Sequence, residues 1–186
     1  NGPRGLLGQS LDGTVLHWES HVWGPLSLER WGGHPGAPWL DWGLGISYLA
    51  FFPMVVAAPL VLWMKGQFDH ARRAIFGITL AFMICYLVFL LFPVAGPAYV
   101  MGWPATQTGT DLPVRLVRSL NDHGDSWGSA FPSSHVAASM TALFLALTGC
   151  RKLAAFLAPI AIGIILAVVY FRIHYVVDAV AGLMVA

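Results

Sequence analysis

The sequence predicts an all-α fold, a polytopic bundle of helices that crosses a membrane several times. Of its 186 residues, 57% are hydrophobic and only 10% are charged, whereas about a quarter of an average soluble domain is charged. The few charges are clustered, which leaves long uncharged stretches between them. Because about 20 apolar residues cross the hydrocarbon core as a helix, these stretches predict membrane spans.

Five stretches are apolar enough to be spans. They lie at 43–64, 74–95, 133–150, 153–171 and 174–186, and only the last contains an acid, Asp178. Prolines such as Pro53 lie inside these runs, but membrane helices tolerate them, so we expect no change in the number of spans. The last stretch is short and the start of the chain is polar. We therefore expect five visible spans of a six-helix protein, with a polar N-terminal segment, 1–42, before a transmembrane catalytic domain, 43–186.

The positions of the basic residues predict which side of the membrane each loop faces. The short loops 65–73 and 151–152 hold five basic residues and one acid. Positive charge marks cytoplasmic loops, so the longer polar segments, 1–42 and 96–132, should face the extracytoplasmic side of a cell membrane. The formal charge of only +1 gives no basic field for nucleic acid.

The outer segment 96–132 contains a predicted amphipathic helix. Leu112, Leu116 and Leu120 follow one another at intervals of four residues and form one helix face, with Arg115 and Arg118 on another. Such a helix is expected to lie on the membrane surface.

The run Phe131-Pro-Ser-Ser-His135 marks the start of a helix. One interpretation is a helix cap only, since Pro and Ser are common at this position. The other is an anion site, in which Ser133, Ser134 and the first-turn N–H groups bind a phosphate. His135 would then lie beside that phosphate as a proton donor.

The run from Arg172 to Asp178 contains a second cluster of ionisable groups. His174 and Asp178 are four residues apart, so on one helix face the carboxylate could fix the imidazole tautomer and leave a nucleophilic nitrogen. Arg172 could grip phosphate oxygens. The alternative is a buried pair that serves packing alone, with Arg172 reaching the interface. Both histidines begin helices on the outward side, which favours a single site.

These two runs resemble the second and third signature motifs of the type 2 phosphatidic acid phosphatase superfamily, whose membrane lipid phosphatases and phosphotransferases are related to vanadium haloperoxidases. The short spacing from Arg172 to His174 departs from the usual Ser-Arg-x5-His-x3-Asp form. It is similar to the His-Tyr-x-x-Asp form of the inositol phosphorylceramide synthase and sphingomyelin synthase branches. Two weaker stretches, Leu40-Asp-Trp with Ser47-Tyr-Leu and Phe92-Pro-Val-Ala-Gly-Pro97, favour the inositol phosphorylceramide synthase-like branch.

The resemblance implies a core like that of the family and a role for each site residue. His174 would form a phosphohistidine, Asp178 would orient it, and His135 would protonate the leaving group. Arg172 and Ser133 would hold the phosphate of a membrane lipid phosphate or phospholipid. Because the arginine and the helix-start donors can stabilise the phosphoryl charge, we expect neither a metal nor a cofactor.

Three functions remain open on these residues. The favoured one is a lipid phosphate phosphatase, and the main alternative is a headgroup phosphotransferase with a polyol acceptor such as inositol. A remote alternative is a catalytically silent lipid-binding membrane protein.

Three further features are weaker candidates. Lys65 and Arg72 have the Lys-x6-Arg spacing of the superfamily's first motif, but Arg73 replaces its proline and the loop is predicted to be cytoplasmic. His17-Trp-Glu-Ser-His21 lacks the HExxH order and a third ligand, so we expect no metal there. Arg115 and Arg118 are the nearest additional candidates for binding substrate, although an interfacial helix would also place arginines at headgroups.

Overall fold

The structure is a computed structural model that describes residues 10–24, 38–103, 111–124 and 127–186. Within these ranges the chain is helical and has no named strand, which confirms the predicted all-α fold. The helices of the described ranges are α1 (Asp12–Trp23), α2 (Pro38–Leu49), α3 (Phe51–Met64), α4 (Phe68–Leu91), α5 (Pro97–Met101), α6 (Leu112–Gly124), α7 (Ser134–Gly149), α8 (Arg151–Tyr170) and α9 (Val176–Val185).

Two of the described helices, α4 and α8, are long and apolar enough to cross a membrane on their own. The bent pair α2 and α3 gives a third candidate if it forms one span. The remaining predicted spans, at 133–150 and 174–186, fall on α7 and α9, which are apolar but shorter. The structure therefore contains two to three candidate spans, and the total of five stays a prediction.

The span predicted at 43–64 is broken. Helices α2 and α3 meet at Ala50 with a bend of 48°. The physical reason is Pro53, because proline has no N–H to bond the carbonyl of Leu49 and its ring collides with that carbonyl. Helix α4 also differs from its prediction, since it begins at Phe68 rather than at residue 74 and ends at Leu91 rather than at residue 95. Its end precedes Pro93, which disfavours helical geometry in the residue before it.

Helix α7 lies at the centre of the bundle and packs against α3, α4, α8 and α9. Its buried face consists largely of small residues, among them Ala138, Ala142 and Ala146. Small side chains allow helix backbones to approach closely in a membrane. The large apolar side chains face outward instead, as Phe156 does with 67% of its surface exposed. Apolar surface on this scale is expected where lipid covers the protein.

The predicted outer segments meet at one end of the bundle. Leu11 N–H donates to the Pro93 carbonyl at 2.8 Å, and Ala98 N–H donates to the Arg172 carbonyl at 2.8 Å. The loop that follows α3 lies at the other end, where Gly149 packs against His70. At 1.5 Å per residue, α7 separates these two ends by about 20 Å.

Candidate active site

The end of α8 places His174. The backbone N–H groups of Ile173 and His174 both donate to the Val168 carbonyl, at 3.0 and 2.9 Å, which closes the helix with a tight turn. The prediction that His174 and Asp178 share one helix face is wrong, because α9 begins only at Val176 and Tyr175 is its N-cap. His174 therefore lies in the turn before the helix, and backbone contacts fix it there.

A backbone carbonyl rather than the carboxylate orients the His174 ring. Nδ1 lies 2.8 Å from the Ala130 carbonyl oxygen and 3.7 Å from Asp178 Oδ2. Since a carbonyl only accepts hydrogen bonds, it holds the proton on Nδ1 and leaves the lone pair on Nε2. Both side chains are buried, with 3% and 0% of their surface exposed.

Asp178 caps the helix that follows His174. Its Oδ2 accepts a hydrogen bond from Tyr175 N–H at 2.7 Å. Its backbone carbonyl accepts from Ser133 N–H at 2.9 Å, which ties the start of α9 to the start of α7. Oδ1 has no hydrogen-bond partner within the part of the chain that the structure describes.

The two histidines face each other. His135, in the first turn of α7, places Nδ1 3.5 Å from His174 Nε2. Its other nitrogen, Nε2, lies 3.2 Å from the hydroxyl of Tyr48 in α2. The structure thus brings the sequence-predicted His135, His174 and Asp178 together at the end of the bundle where the predicted outer segments meet.

The two serines predicted to bind phosphate lie at the start of α7. Ser133 is the N-cap, and its buried Oγ accepts a hydrogen bond from Val136 N–H at 3.4 Å. Ser134 is half-buried. The capping interpretation is therefore observed for Ser133, whose hydroxyl still has its own proton to donate.

Arg172 has an unusual backbone conformation. Its φ of 55° lies in the left-handed region, which costs a residue with a side chain about 1–2 kcal/mol. The side chain is half-buried, and its Nε is buried without a hydrogen-bond partner among the described residues.

Arg115 and Arg118 do not join this cluster through any contact in the described structure. Arg115 is exposed, whereas Arg118 lies 3.6 Å from Asp122 and 5.7 Å from the centre of the Trp103 ring. Helix α6 buries Val114 and Val117, so the predicted leucine face points away from the bundle. That orientation agrees with a helix at the membrane surface.

One comparison with known proteins identifies the family. A family model described as the PAP2 superfamily, the type 2 phosphatidic acid phosphatases, matches residues 15–186. The chain belongs to the PAP2 superfamily. This confirms the superfamily that the motifs resemble, while the inositol phosphorylceramide synthase-like branch stays a prediction. Neither curated proteins nor solved structures give a match. PAP2 membership supports a phosphatase or phosphotransferase type of function.

The PAP2 site includes one acid that the sequence did not reveal. Asp12, at the start of α1, accepts hydrogen bonds from the backbone N–H groups of Ala95 and Gly96 at 2.8 and 2.9 Å. The hydroxyl of Tyr175 donates to the same carboxylate at 2.9 Å. Asp12 therefore joins the loop after α4 to the residue that follows His174.

A second acid of α1 caps α9. Glu19, with only 2% of its surface exposed, accepts from Val176 N–H at 3.2 Å and from Val177 N–H at 3.1 Å. Burial raises its pKa above the usual range, and the two backbone hydrogen bonds oppose that rise. Its neighbours in the run His17-Trp-Glu-Ser-His21, the two histidines, are exposed. Glu19 is thus the residue of this run that contacts the start of α9, directly after His174 and Tyr175.

A narrow cleft of about 10 Å³, room for no more than one water molecule, reaches His174 in this PAP2 protein. It is lined by Ala95, Tyr99, Asn121, Ser129, Ala130, Ile173 and His174. A larger apolar groove, which Trp63 and Arg72 line, lies at the opposite end of the bundle. The Lys65 to Arg72 run lies there as well, which agrees with the expectation that it is not a catalytic motif.

Proposed function

We propose that this PAP2 protein is an integral-membrane phosphatase that cleaves a lipid phosphate ester through a phosphohistidine. The observation that carries the proposal is the buried pair of imidazoles, with His174 Nε2 and His135 Nδ1 3.5 Å apart. The Ala130 carbonyl keeps the proton of His174 on the far nitrogen. Nε2 is thereby available as a nucleophile next to a second histidine that can act as an acid.

The proposed reaction has two steps. In the first, His174 Nε2 forms a bond to phosphorus as the bond to the lipid alcohol oxygen breaks, and protonated His135 gives its Nδ1 proton to that oxygen. In the second, a water molecule gives a proton to His135 Nδ1 and attacks phosphorus, and the N–P bond breaks. Inorganic phosphate leaves, and His135 is protonated again for the next cycle.

The surrounding groups suit these steps. Arg172 has an Nε without a partner among the described residues that could bond a phosphate oxygen, and the N-terminus of α7 presents its first-turn N–H groups to an anion. The carboxylate of Asp178, 3.7 Å from His174 Nδ1, would stabilise the positive charge that the ring gains on phosphorylation. The outer polar segments meet at this end of the bundle, so we place the reaction at the extracytoplasmic face by the charge of the opposite loops.

The alternative is transfer to an alcohol instead of water. The motif form favours it, and buried Asn121, which lines the same narrow cleft as His174, could bond one hydroxyl of an acceptor. If Asn121 binds the acceptor, Asn121→Leu should lower transfer to the acceptor while release of free phosphate continues. Equal loss of both products would argue against an acceptor site there.

The deciding experiment uses purified protein in detergent or vesicles with radiolabelled lipid phosphates and phospholipids, with and without inositol. Phosphate release that does not depend on the acceptor supports the phosphatase. Inositol-dependent conversion of a phospholipid into a new phospholipid, with release of the original headgroup alcohol, supports the transferase. His174→Ala should abolish turnover and covalent labelling of the protein. A wild-type protein that neither turns over nor becomes labelled would support the silent lipid-binding alternative.

Metal independence is tested in the same assay. We expect a chelator of divalent ions to leave the rate unchanged, because Arg172 and the helix-start donors provide the positive charge. Loss of activity on chelation, with recovery on adding a divalent ion, would contradict this expectation.

A further inference from the structure

We propose that Tyr48 is a positioning residue that orients the His135 ring and hydrogen-bonds its Nε2 in both protonation states. The inference rests on the proposed function, since it concerns the group that protonates the leaving alcohol. Tyr48 is almost fully buried, with 1% of its surface exposed. Its hydroxyl lies 3.2 Å from His135 Nε2, on the side of the ring that faces away from His174.

The bend between α2 and α3 brings two aromatic rings onto His135. Tyr48 lies in the last turn of α2, and its ring stacks on the imidazole with centroids 5.1 Å apart. Phe51 is the first residue of α3, and its ring centroid lies 4.5 Å from that of the same imidazole. These contacts fix the plane of the ring, and the hydroxyl fixes which nitrogen faces His174. The bend between α2 and α3 therefore helps to position His135.

A series of hydrogen bonds runs from the Ala130 carbonyl through the two histidines to Tyr48. The Ala130 carbonyl fixes the direction of each bond in this series. The Ala130 carbonyl can only accept, so neutral His174 carries its proton on Nδ1 and a lone pair on Nε2. Neutral His135 must then carry its proton on Nδ1, because that nitrogen faces the lone pair. Its Nε2 is left with a lone pair, to which the Tyr48 hydroxyl donates.

A hydroxyl is suited to this place because it can also accept a hydrogen bond. When His135 is protonated, its Nε2–H donates to the Tyr48 oxygen while Nδ1–H goes to the departing alcohol oxygen. The ring is then neutral with its proton on Nε2, and its free Nδ1 accepts the proton of the attacking water. Tyr48 therefore donates to Nε2 while His135 is neutral and bonded to His174, and accepts from Nε2–H once His135 is protonated for turnover. A carboxylate could only accept.

The test compares Tyr48→Phe with wild type on two substrates. One is a short-chain phosphatidic acid, whose alkoxide leaving group needs a proton, and the other is p-nitrophenyl phosphate, whose leaving group is stable as an anion. General acid catalysis contributes about 10²–10⁴-fold, so we expect kcat/KM on the alkyl ester, which reports formation of the phosphohistidine, to fall about 10- to 100-fold. On the aryl ester kcat/KM should change much less.

Tyr170→Phe is the matched control. Tyr170 is also buried, but its hydroxyl donates to Asp41 at 2.7 Å instead of to a histidine. Loss of this hydroxyl should change the rates on both substrates by the same factor. In a His135→Ala background, Tyr48→Phe should cause no further loss of rate on the alkyl ester, because Tyr48 acts through the His135 ring.

Three results would overturn the inference. They are an unchanged Tyr48→Phe, an equal loss on both substrates, and a further loss in the His135→Ala background. If Tyr48→Phe does not fold, nitrogen-15 NMR of histidine-labelled wild type decides instead. Neutral His135 protonated on Nδ1 is expected, and protonation on Nε2 contradicts the inference. Failure of the proposed function is distinguishable, because wild type itself would then hydrolyse neither substrate.

Discussion

Replacing Glu19 tests whether α1 holds the catalytic end of the bundle in place. Glu19→Ala removes the acceptor for two partly buried N–H groups, those of Val176 and Val177. A fully buried donor left without a partner costs about 1–3 kcal/mol, so about 2–6 kcal/mol is the upper limit for the two together. Glu19→Gln keeps one acceptor oxygen and should cost about half as much. At about 2–4 °C per kcal/mol, both losses are measurable as shifts in melting temperature.

The assay is thermal unfolding of the purified protein in detergent, followed by activity on the folded fraction. Because α9 begins directly after His174 and Tyr175, a poorly held helix start should also lower kcat at temperatures where the protein is still folded. Ser20→Ala is the control, since its side chain is exposed on the same helix and surface changes usually stay within about 0.5 kcal/mol. A Glu19→Ala protein that melts and turns over like Ser20→Ala would refute the reasoning.

The remaining predictions follow from the same geometry. Folding raises the Glu19 pKa, so its contribution to stability is fully present below the usual Glu value of about 4.3 and is lost as the pH rises through the folded pKa. The melting temperature of wild type relative to Glu19→Gln should therefore be highest in acid and decline through that range. At Gly182 a Cβ would lie 2.5 Å from the Ser133 carbonyl oxygen, so Gly182→Val should cost about 1–3 kcal/mol and should separate α9 from α7, measured as lower melting temperature and lower kcat. Arg72 is exposed at the opposite end of the bundle, so Arg72→Gln should leave kcat and KM on phosphatidic acid unchanged, and a large loss of kcat would return that loop to the list of catalytic candidates.

Local patterns in the sequence predicted most of the helices and the histidine pair. Uncharged stretches report the apolar face that lipid requires, and the Pro-Ser-Ser run marks the start of α7 within one residue because capping is a local property. The site was found for the same reason, since His135 and His174 each lie at a recognisable helix start. Positions of helix ends were less accurate where a proline acted, as at Pro53.

Contacts between distant parts of the chain could not be predicted. Asp12 and Tyr175 are 163 residues apart, and Glu19 and Val176 are 157 residues apart. Nothing in the polar N-terminal segment distinguishes an acid that bonds a distant backbone from one that faces solvent. The same limit applies to Tyr48, whose place beside His135 depends on the bend between α2 and α3. Asp12, Glu19 and Tyr48 are all buried. This burial, which only the structure reports, distinguishes them from their neighbours in the sequence.

Two buried atoms without partners among the described residues connect the structure to the proposed chemistry. They are Arg172 Nε and Asp178 Oδ1, and a buried polar atom of this kind is costly unless something else satisfies it. On the proposed mechanism, substrate phosphate supplies the acceptor that Arg172 lacks. The phosphorylated His174 ring carries a positive charge that the Asp178 carboxylate would then stabilise at 3.7 Å. Phosphate would therefore satisfy Arg172 Nε, and the charge on the ring would make the nearby Asp178 carboxylate favourable as the intermediate forms, which is where binding energy accelerates a reaction.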